Sequence, residues 1–305
     1  MVKEKPIVVV GSINMDLVAI ASKIPVAGET VAGTDFRTHP GGKGANQAVA
    51  VARLGHPVRM IGKVGTDAFG AELENHLREA GVDIEGVATH QGPSGTAVIV
   101  VSPSGDNSIV VVPGANAAVD ARFVDEHVAM IRGAALVLAQ LEIPLATIEH
   151  LAALCARENV PLVLDPAPAT ELPASLIRAV DWLTPNETEA AFYVGAHTAH
   201  ETARALVDMG CRGVVLKLGS RGVYVSSTRW QDFCPAFSVE AIDTTAAGDA
   251  FNGAFAVGLA KGMSPKESAT FATAAAAISV TRRGAQASMP TREEVEAFIR
   301  ERDVH

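Results

Sequence analysis

Short β-branched runs recur along this chain, at residues 7–10, 97–101, 109–112, 135–138, 162–164 and 214–218, and segments of helical pattern separate most of them. That alternation constrains the fold more than any other feature. A strand that is followed by a helix and then by another strand returns in the same direction, so the sheet it builds is largely parallel. Such a sheet needs helices on both faces. Helical periodicity is clearest in the second half, over residues 145–158, 202–209, 247–261, 265–281 and 292–300. The predicted class is α/β, a mostly parallel central sheet flanked by helices in three layers.

Two stretches break the alternation. Residues of about 12–40, with IPVAGET and VAGTDF, are turn-rich and show no convincing helix before Lys43, and residues of about 92–113 are similar. Lacking a helix to cover a second face, they read as antiparallel ribbons forming a small sheet off the main body, a lid over a site. No repeat, low-complexity tract or long linker divides the 305 residues, so one domain over 1–305 is expected, with the lid segments inserted.

The net charge of −9, from 25 Lys plus Arg against 34 Asp plus Glu, disfavours nucleic acid or an anionic membrane as a partner. The longest apolar run, residues 272–280, is alanine-rich and far shorter than the ~20 residues a membrane span needs. Cys155, Cys211 and Cys234 lie apart with no paired spacing and read as buried thiols of a reducing compartment. The opening residues hold too few consecutive apolar side chains for a secretory signal, so the cytoplasm is expected.

There is no GxxxxGK[ST], no GxSxG and no GxGxxG after a strand with a downstream acidic partner. His197 and His200 are three apart, a metal-pair spacing, yet no further ligand clusters nearby, and they read as solvated residues at a helix start. The informative stretch is DTTAAGDAFNGAF, residues 243–255, where small residues precede a helical run. Free N–H groups at Ala246, Ala247 and Gly248 and the positive end of the helix dipole would suit a transferring phosphoryl group. Asp249 in the first turn could take a proton from an attacking hydroxyl. The plainer alternative is a capped helix start.

A second glycine cluster, PGGKGANQ at 40–47, precedes another helical segment, and its glycines let the backbone approach a ligand. Lys43 and Asn46 supply donors there. With Asn14 and Asp16 they form a set suited to vicinal hydroxyls, although Asn14 and Asp16 taken singly are common turn formers. Asp165 closes a buried strand, at the end where ligands of open α/β sheets bind. Met15 reads as a packing residue.

GSINMDL, GETVAGTDF, GGKGANQAVAVARLG and DTTAAGDAFNGAF, joined by QLE at 140–142, TPNETE at 184–189, LGSRG at 218–222 and VTRRGAQAS at 280–288, resemble the ribokinase branch of the PfkB sugar-kinase family in order and spacing. The resemblance runs essentially end to end. It implies a ribokinase-like fold with a β lid, a homodimer clasped through the lids, and ATP-dependent phosphorylation of D-ribose at O5. By the same resemblance Asn14, Asp16, Gly42, Lys43, Asn46 and Glu142 hold the sugar and Asp249 is the base, with Ala246, Ala247 and Gly248 as the anion hole. Asn186, Lys217, Leu218, Gly219, Ser220, Arg221, Gly222, Gly248 and Thr273 match nucleotide contacts, although Lys217 stands where the family often has a smaller residue. Glu189 matches a position that organises Mg²⁺ through water, and Asp243, Thr245, Ser279, Arg282, Gly284 and Ser288 match a K⁺ site.

Two rival functions are distinguishable. One is a kinase of the same family for deoxyribose, fructose or adenosine; the polar pair Asn14 and Asp16 favours ribose, because a 2-deoxy sugar would leave buried groups unpaired. The other is a non-catalytic sugar sensor. Asp249 weighs against it, since a carboxylate beside an anion nest repels phosphate unless it works as a base.

Overall fold

The computed structural model describes residues 4–302. Ile7, Val8, Val9 and Val10 are all fully buried, as strand residues are only when both faces are covered. Ile7 and Val9 enter one apolar core and Val8 and Val10 the other. That two-sided division extends through a nine-stranded sheet. Its order from one edge is Gln231–Pro235, Gly222–Ser227, Gly213–Lys217, Trp182–Leu183, Leu162–Asp165, Leu136–Gln140, Ile7–Val10, Val58–Gly65 and Asp83–His90. From Gly213–Lys217 to Asp83–His90 every neighbouring pair is parallel, and the two strands at the opposite edge pair antiparallel.

The six expected strands are present with ends shifted by at most two residues. Val58–Gly65 and Asp83–His90 were not anticipated: the first carries Arg59, Lys63 and two glycines, and the second is a largely polar edge strand. The Ala68–Glu79 helix, capped by Asp67, was missed as well. The helix expected at 202–209 begins at Ala199, because Thr198 and Glu201 close a capping box three residues earlier. Met15 is fully buried, and all three cysteines are buried and free. Among the described residues no helix is long and apolar enough to cross a membrane.

A second sheet has the order Gly33–Gly41, Asn14–Ala21, Gly95–Val101 and Asn107–Val112. Its outer pairs are antiparallel, as expected of two ribbons, but the ribbons join through a parallel pair, Asn14–Ala21 against Gly95–Val101. Phe36, Val98 and all of Ile109–Val112 remain exposed on it.

The strands Leu136–Gln140, Leu162–Asp165 and Gly213–Lys217 end side by side, with Gln140 level with Asp165. The helices Lys43–Arg53 and Ala247–Ala260 both begin at that rim. They pack so closely that a Cβ on Gly253 would stand 2.6 Å from Ala50 Cβ and 3.1 Å from the Gln47 carbonyl. Two glycine-rich turns, far apart in sequence, are thereby held against one another.

Candidate active site

Gly42 has φ +86°, and a Cβ there would lie 2.8 Å from the Asn14 amide nitrogen; at Gly44 it would lie 2.6 Å from the Ser12 nitrogen. Only glycine lets the turn seat itself on residues 12–14. Seated there, the Lys43 N–H donates to Glu142 Oε2 at 3.0 Å, and Ser12 Oγ donates to the same oxygen at 2.6 Å while accepting from Gly44 N–H at 3.2 Å. Asn14 Oδ1 accepts from Asn116 Nδ2 at 2.6 Å, and the Asp16 carboxylate fills the space that a side chain at Gly41 would need. Burial, then Glu142 and Asp249, push Asp16 up to about 7. Burial alone would lower Lys43, but Asp249, Asp165, Glu142 and Glu189 together hold it above the ordinary lysine range. The result is a cluster of polar groups, with the Lys43 ammonium bordering both it and a large cavity.

Asp249 stands in the first turn of the Ala247–Ala260 helix and is 5% exposed. Asn46 Nδ2 donates to its Oδ2 at 2.9 Å and Gln47 Nε2 to its Oδ1 at 3.1 Å. Both donors are themselves fixed: Gln286 Nε2 donates to Asn46 Oδ1 at 3.0 Å, and Gln140 Nε2 to Gln47 Oε1 at 2.7 Å. Gln47 Nε2 also reaches Asp165 Oδ2 at 3.1 Å, and Lys217 Nζ donates to Asp165 Oδ1 at 3.0 Å. Burial raises Asp249 most; Lys43, Asn46 and Gln47 pull it down, Asp165 adds to the rise, and the balance is about 6. A carboxylate so poised is ionised at neutral pH yet keeps useful proton affinity.

The helix start departs from expectation at one amide. Ala246 takes φ +57° as the cap, and its N–H and that of Gly248 have no backbone partner, but Ala247 N–H donates to the Thr244 carbonyl at 3.2 Å. Among the described residues the amides left without a backbone partner are thus those of Ala246, Gly248 and Asp249, with Ala247 closing the turn before them. Beside it opens a cavity of about 610 Å³, bordered at its deep end by Lys43, Asp165, Lys217, Gly248 and Asp249 and along one wall by Asn186, Glu189, Gly219, Ser220 and Gly222. Its far end is apolar, with Val223, Phe237, Val239, Ala276, Ala277 and Val280, and includes Thr273, whose hydroxyl already donates to the Ala269 carbonyl at 2.8 Å. Two expected contacts lie elsewhere: Leu218 is buried in the core, and the exposed Arg221 pairs with Glu187. Asn14, Asp16, Gly42, Asn46 and Glu142 do not line this cavity but join its border through the Lys43 N–H bond to Glu142 and the Asn46 bond to Asp249. The sequence reading passed over Ser12, Gln47, Asn116, Gln140 and Gln286, which act only through contacts between distant segments.

The residues matched to metals fit oxygen-bound cations. Glu189 Oε2 accepts from the Asn186 N–H at 2.7 Å in a capping box, leaving its other oxygen beside the cleft. Burial raises it, against the pull of Lys217 and Lys43. Asp243 accepts from Thr245 N–H and Oγ1 at 2.9 and 2.6 Å and from Gly284 N–H at 2.9 Å. Burial acts the other way, but these hydrogen bonds and Arg283 hold it below the usual carboxylate range. The Ile242 and Asp243 N–H groups bind the Val280 carbonyl, which brings this ionised group to the negative C-terminal end of the Pro265–Val280 helix, beside Ser279. The Arg282 guanidinium pairs with Glu294 and offers no lone pair to a cation, whereas the Ser288 hydroxyl donates its hydrogen to Ala285 O at 2.7 Å and keeps its oxygen lone pairs. No group of three or more His, Cys, Asp or Glu gathers among the described residues, and His197 and His200 are exposed.

A buried carboxylate at a helix N-terminus, with a cluster of polar side chains on one side and a cavity of about 610 Å³ on the other, is the arrangement expected of an enzyme that phosphorylates an alcohol. The comparisons agree. Residues 4–292 match the model of the pfkB family carbohydrate kinases. The ribokinase of Bacillus subtilis is 45% identical over 300 residues, covering 96% of this chain and 99% of that protein. Among solved structures, Thermotoga maritima ribokinase aligns with TM-score 0.90 at 40% identity, covering 97% of this chain and 99% of the other. Arabidopsis thaliana ribokinase complexed with ribose and ATP aligns with TM-score 0.92 at 34% identity, with the same coverage. The chain belongs to the pfkB family of carbohydrate kinases.

Proposed function

We infer that this protein is an ATP-dependent ribokinase, transferring the γ-phosphoryl group of ATP to the 5-hydroxyl of D-ribose to give D-ribose 5-phosphate and ADP. The observation that carries the reading is Asp249, buried, held at both oxygens, and shared between the polar pocket and the nucleotide-sized cleft. Asn14, Asp16, Gly42, Lys43, Asn46 and Glu142 hold the sugar so that its 5-hydroxyl meets Asp249. The carboxylate takes the hydroxyl proton as the O5–phosphorus bond forms and the bond from phosphorus to the β–γ bridging oxygen breaks, leaving ADP. The Ala246 and Gly248 amides face the charge on the phosphoryl oxygens.

Asn186, Lys217, Gly219, Ser220, Gly222 and Thr273 line the place of the nucleotide. Glu189 would hold Mg²⁺ through water, and the metal would neutralise the β- and γ-phosphates. Asp243, with Ser288 and carbonyls at Thr245, Ser279, Arg282 and Gly284, would hold K⁺, which would order the loop of the nest by its charge. The chain acts as one kinase domain. Its four-stranded sheet is the lid, and the exposed apolar residues of the Asn107–Val112 edge support a homodimer formed through it. The cytoplasm is the compartment that fits the free thiols.

A coupled assay of ADP release over a sugar panel, with and without K⁺, tests the reading. D-ribose should exceed deoxyribose, fructose and adenosine in kcat/KM; equal turnover of any of these would reassign the substrate. A sugar sensor would release no ADP with any of them.

A further inference from the structure

Lys217 ends the Gly213–Lys217 strand at the deep end of the cleft, with its side chain 13% exposed. Its ammonium has one partner, Asp165 Oδ1 at 3.0 Å, and a Cβ built on Gly248 would stand 3.5 Å from its Nζ. Gly248 carries one of the helix-start amides left without a backbone partner. An ammonium therefore lies beside the nest, paired with a carboxylate whose other oxygen is secured independently by Gln47. Asp165 can release the lysine without losing its own place.

We propose that Lys217 is a catalytic residue, whose ammonium leaves Asp165 for the γ-phosphoryl oxygens during transfer. The proposal rests on the phosphoryl-transfer reading above and assigns a task to the side chain that lining the nucleotide site alone does not. With Ala247 N–H committed to the turn, the nest offers few donors for three equatorial oxygens that gather charge. A lysine already partly desolvated at that spot strengthens as water is excluded. Lys43 borders the same cleft, but Asp249, Asp165, Glu142 and Glu189 all act on its charge, whereas Lys217 is hydrogen-bonded to Asp165 alone. Release of the lysine also leaves Asp165 with less of its charge balanced. Asp165 already raises the proton affinity of Asp249, so the base gains strength as the phosphoryl group arrives.

The alternative is that Lys217 only neutralises Asp165. Lys217→Met alone does not separate the two, because it leaves a buried carboxylate unpaired, so it is compared with Asp165→Asn/Lys217→Met, which removes both charges. Each variant is checked for folding by its melting temperature and by calorimetric ribose binding, and wild-type turnover of ribose with ATP tests the underlying reading separately. If Lys217 is catalytic, the double variant binds ribose with near wild-type affinity yet stays about 10²-fold down in kcat, the scale of one lost oxyanion donor. Lys217→Arg should then recover part of the loss. A double variant with wild-type kcat would overturn the proposal and leave Lys217 as the counter-ion of Asp165.

Discussion

The two halves of the site are built on opposite principles. In the half proposed to hold the sugar, several polar groups are held by others: Ser12 and the Lys43 amide on Glu142, Asn116 on Asn14, and Asn46 and Gln47 on Asp249. The Asp16 carboxylate and the Lys43 ammonium have no hydrogen-bond partner among the described residues and stand ready for a guest. In the nucleotide half the far wall is apolar, and its one buried hydroxyl, Thr273, is spent on its own helix. The difference teaches where selectivity resides. A pocket of fixed hydrogen bonds penalises a guest that leaves one unmade, whereas an apolar cleft selects mainly by shape.

The largest expected effect lies where the halves meet. Asp249→Asn should lower kcat by ~10² or more while ribose binding remains measurable by calorimetry. Near wild-type turnover would dissolve the link between the halves. In the wild type, kcat/KM, which reports the free enzyme, should fall about tenfold per pH unit below about 6, where the raised Asp249 carboxyl gains its proton. A smaller loss, roughly 5- to 150-fold in kcat/KM, is expected for 2-deoxyribose against ribose, from about 1 to 3 kcal/mol per buried group left unpaired. On the nucleotide side GTP should replace ATP with less than about a tenfold loss, since Ser238 is, among the described residues, the one wall side chain with a free polar group, and a single exposed hydroxyl discriminates weakly between base edges. Stronger discrimination between bases than between pentoses would reverse the comparison.

The smallest effect concerns the empty protein. Asp16 binds its proton more tightly when folded, up to about 7, than when unfolded, at 3.8, so its contribution to stability falls as pH rises between these values. Asp16→Asn should thus raise the stability of the unliganded enzyme at pH 8 by about 1 kcal/mol or more, with the gain shrinking toward pH 4, as read from melting temperatures. A variant less stable than wild type at pH 8 would mean that the sugar half carries no such strain.

How much of this was legible depended on distance along the chain. The strand at Ile7–Val10 and the helix at Leu145–Glu158 announce themselves through local pattern, and the glycine turns before Lys43 and Asp249 through local composition. Asp165 was visible as a strand-end carboxylate but without a role. Gln47 and Gln140 gave no local signal: they meet across 93 positions, Gln47 meets Asp165 across 118, and Asn46 meets Asp249 across 203. An amide that orients a carboxylate looks, in one sequence, like any surface glutamine. The strand Val58–Gly65 was hidden similarly, since its Lys63 reads as solvent-facing until the Ala118 carbonyl arrives at 2.7 Å.

The close seat of Gly253 against Ala50 and the Gln47 carbonyl has a meaning for how such an enzyme can change over generations. Gly253 touches neither guest, yet a single methyl there would wedge apart the helix that bears the acid and the helix that bears its amide escorts. Mutational drift at this remote spot is closed off as firmly as at the acid itself, because the spacing of the machinery is kept by a side chain reduced to one hydrogen atom.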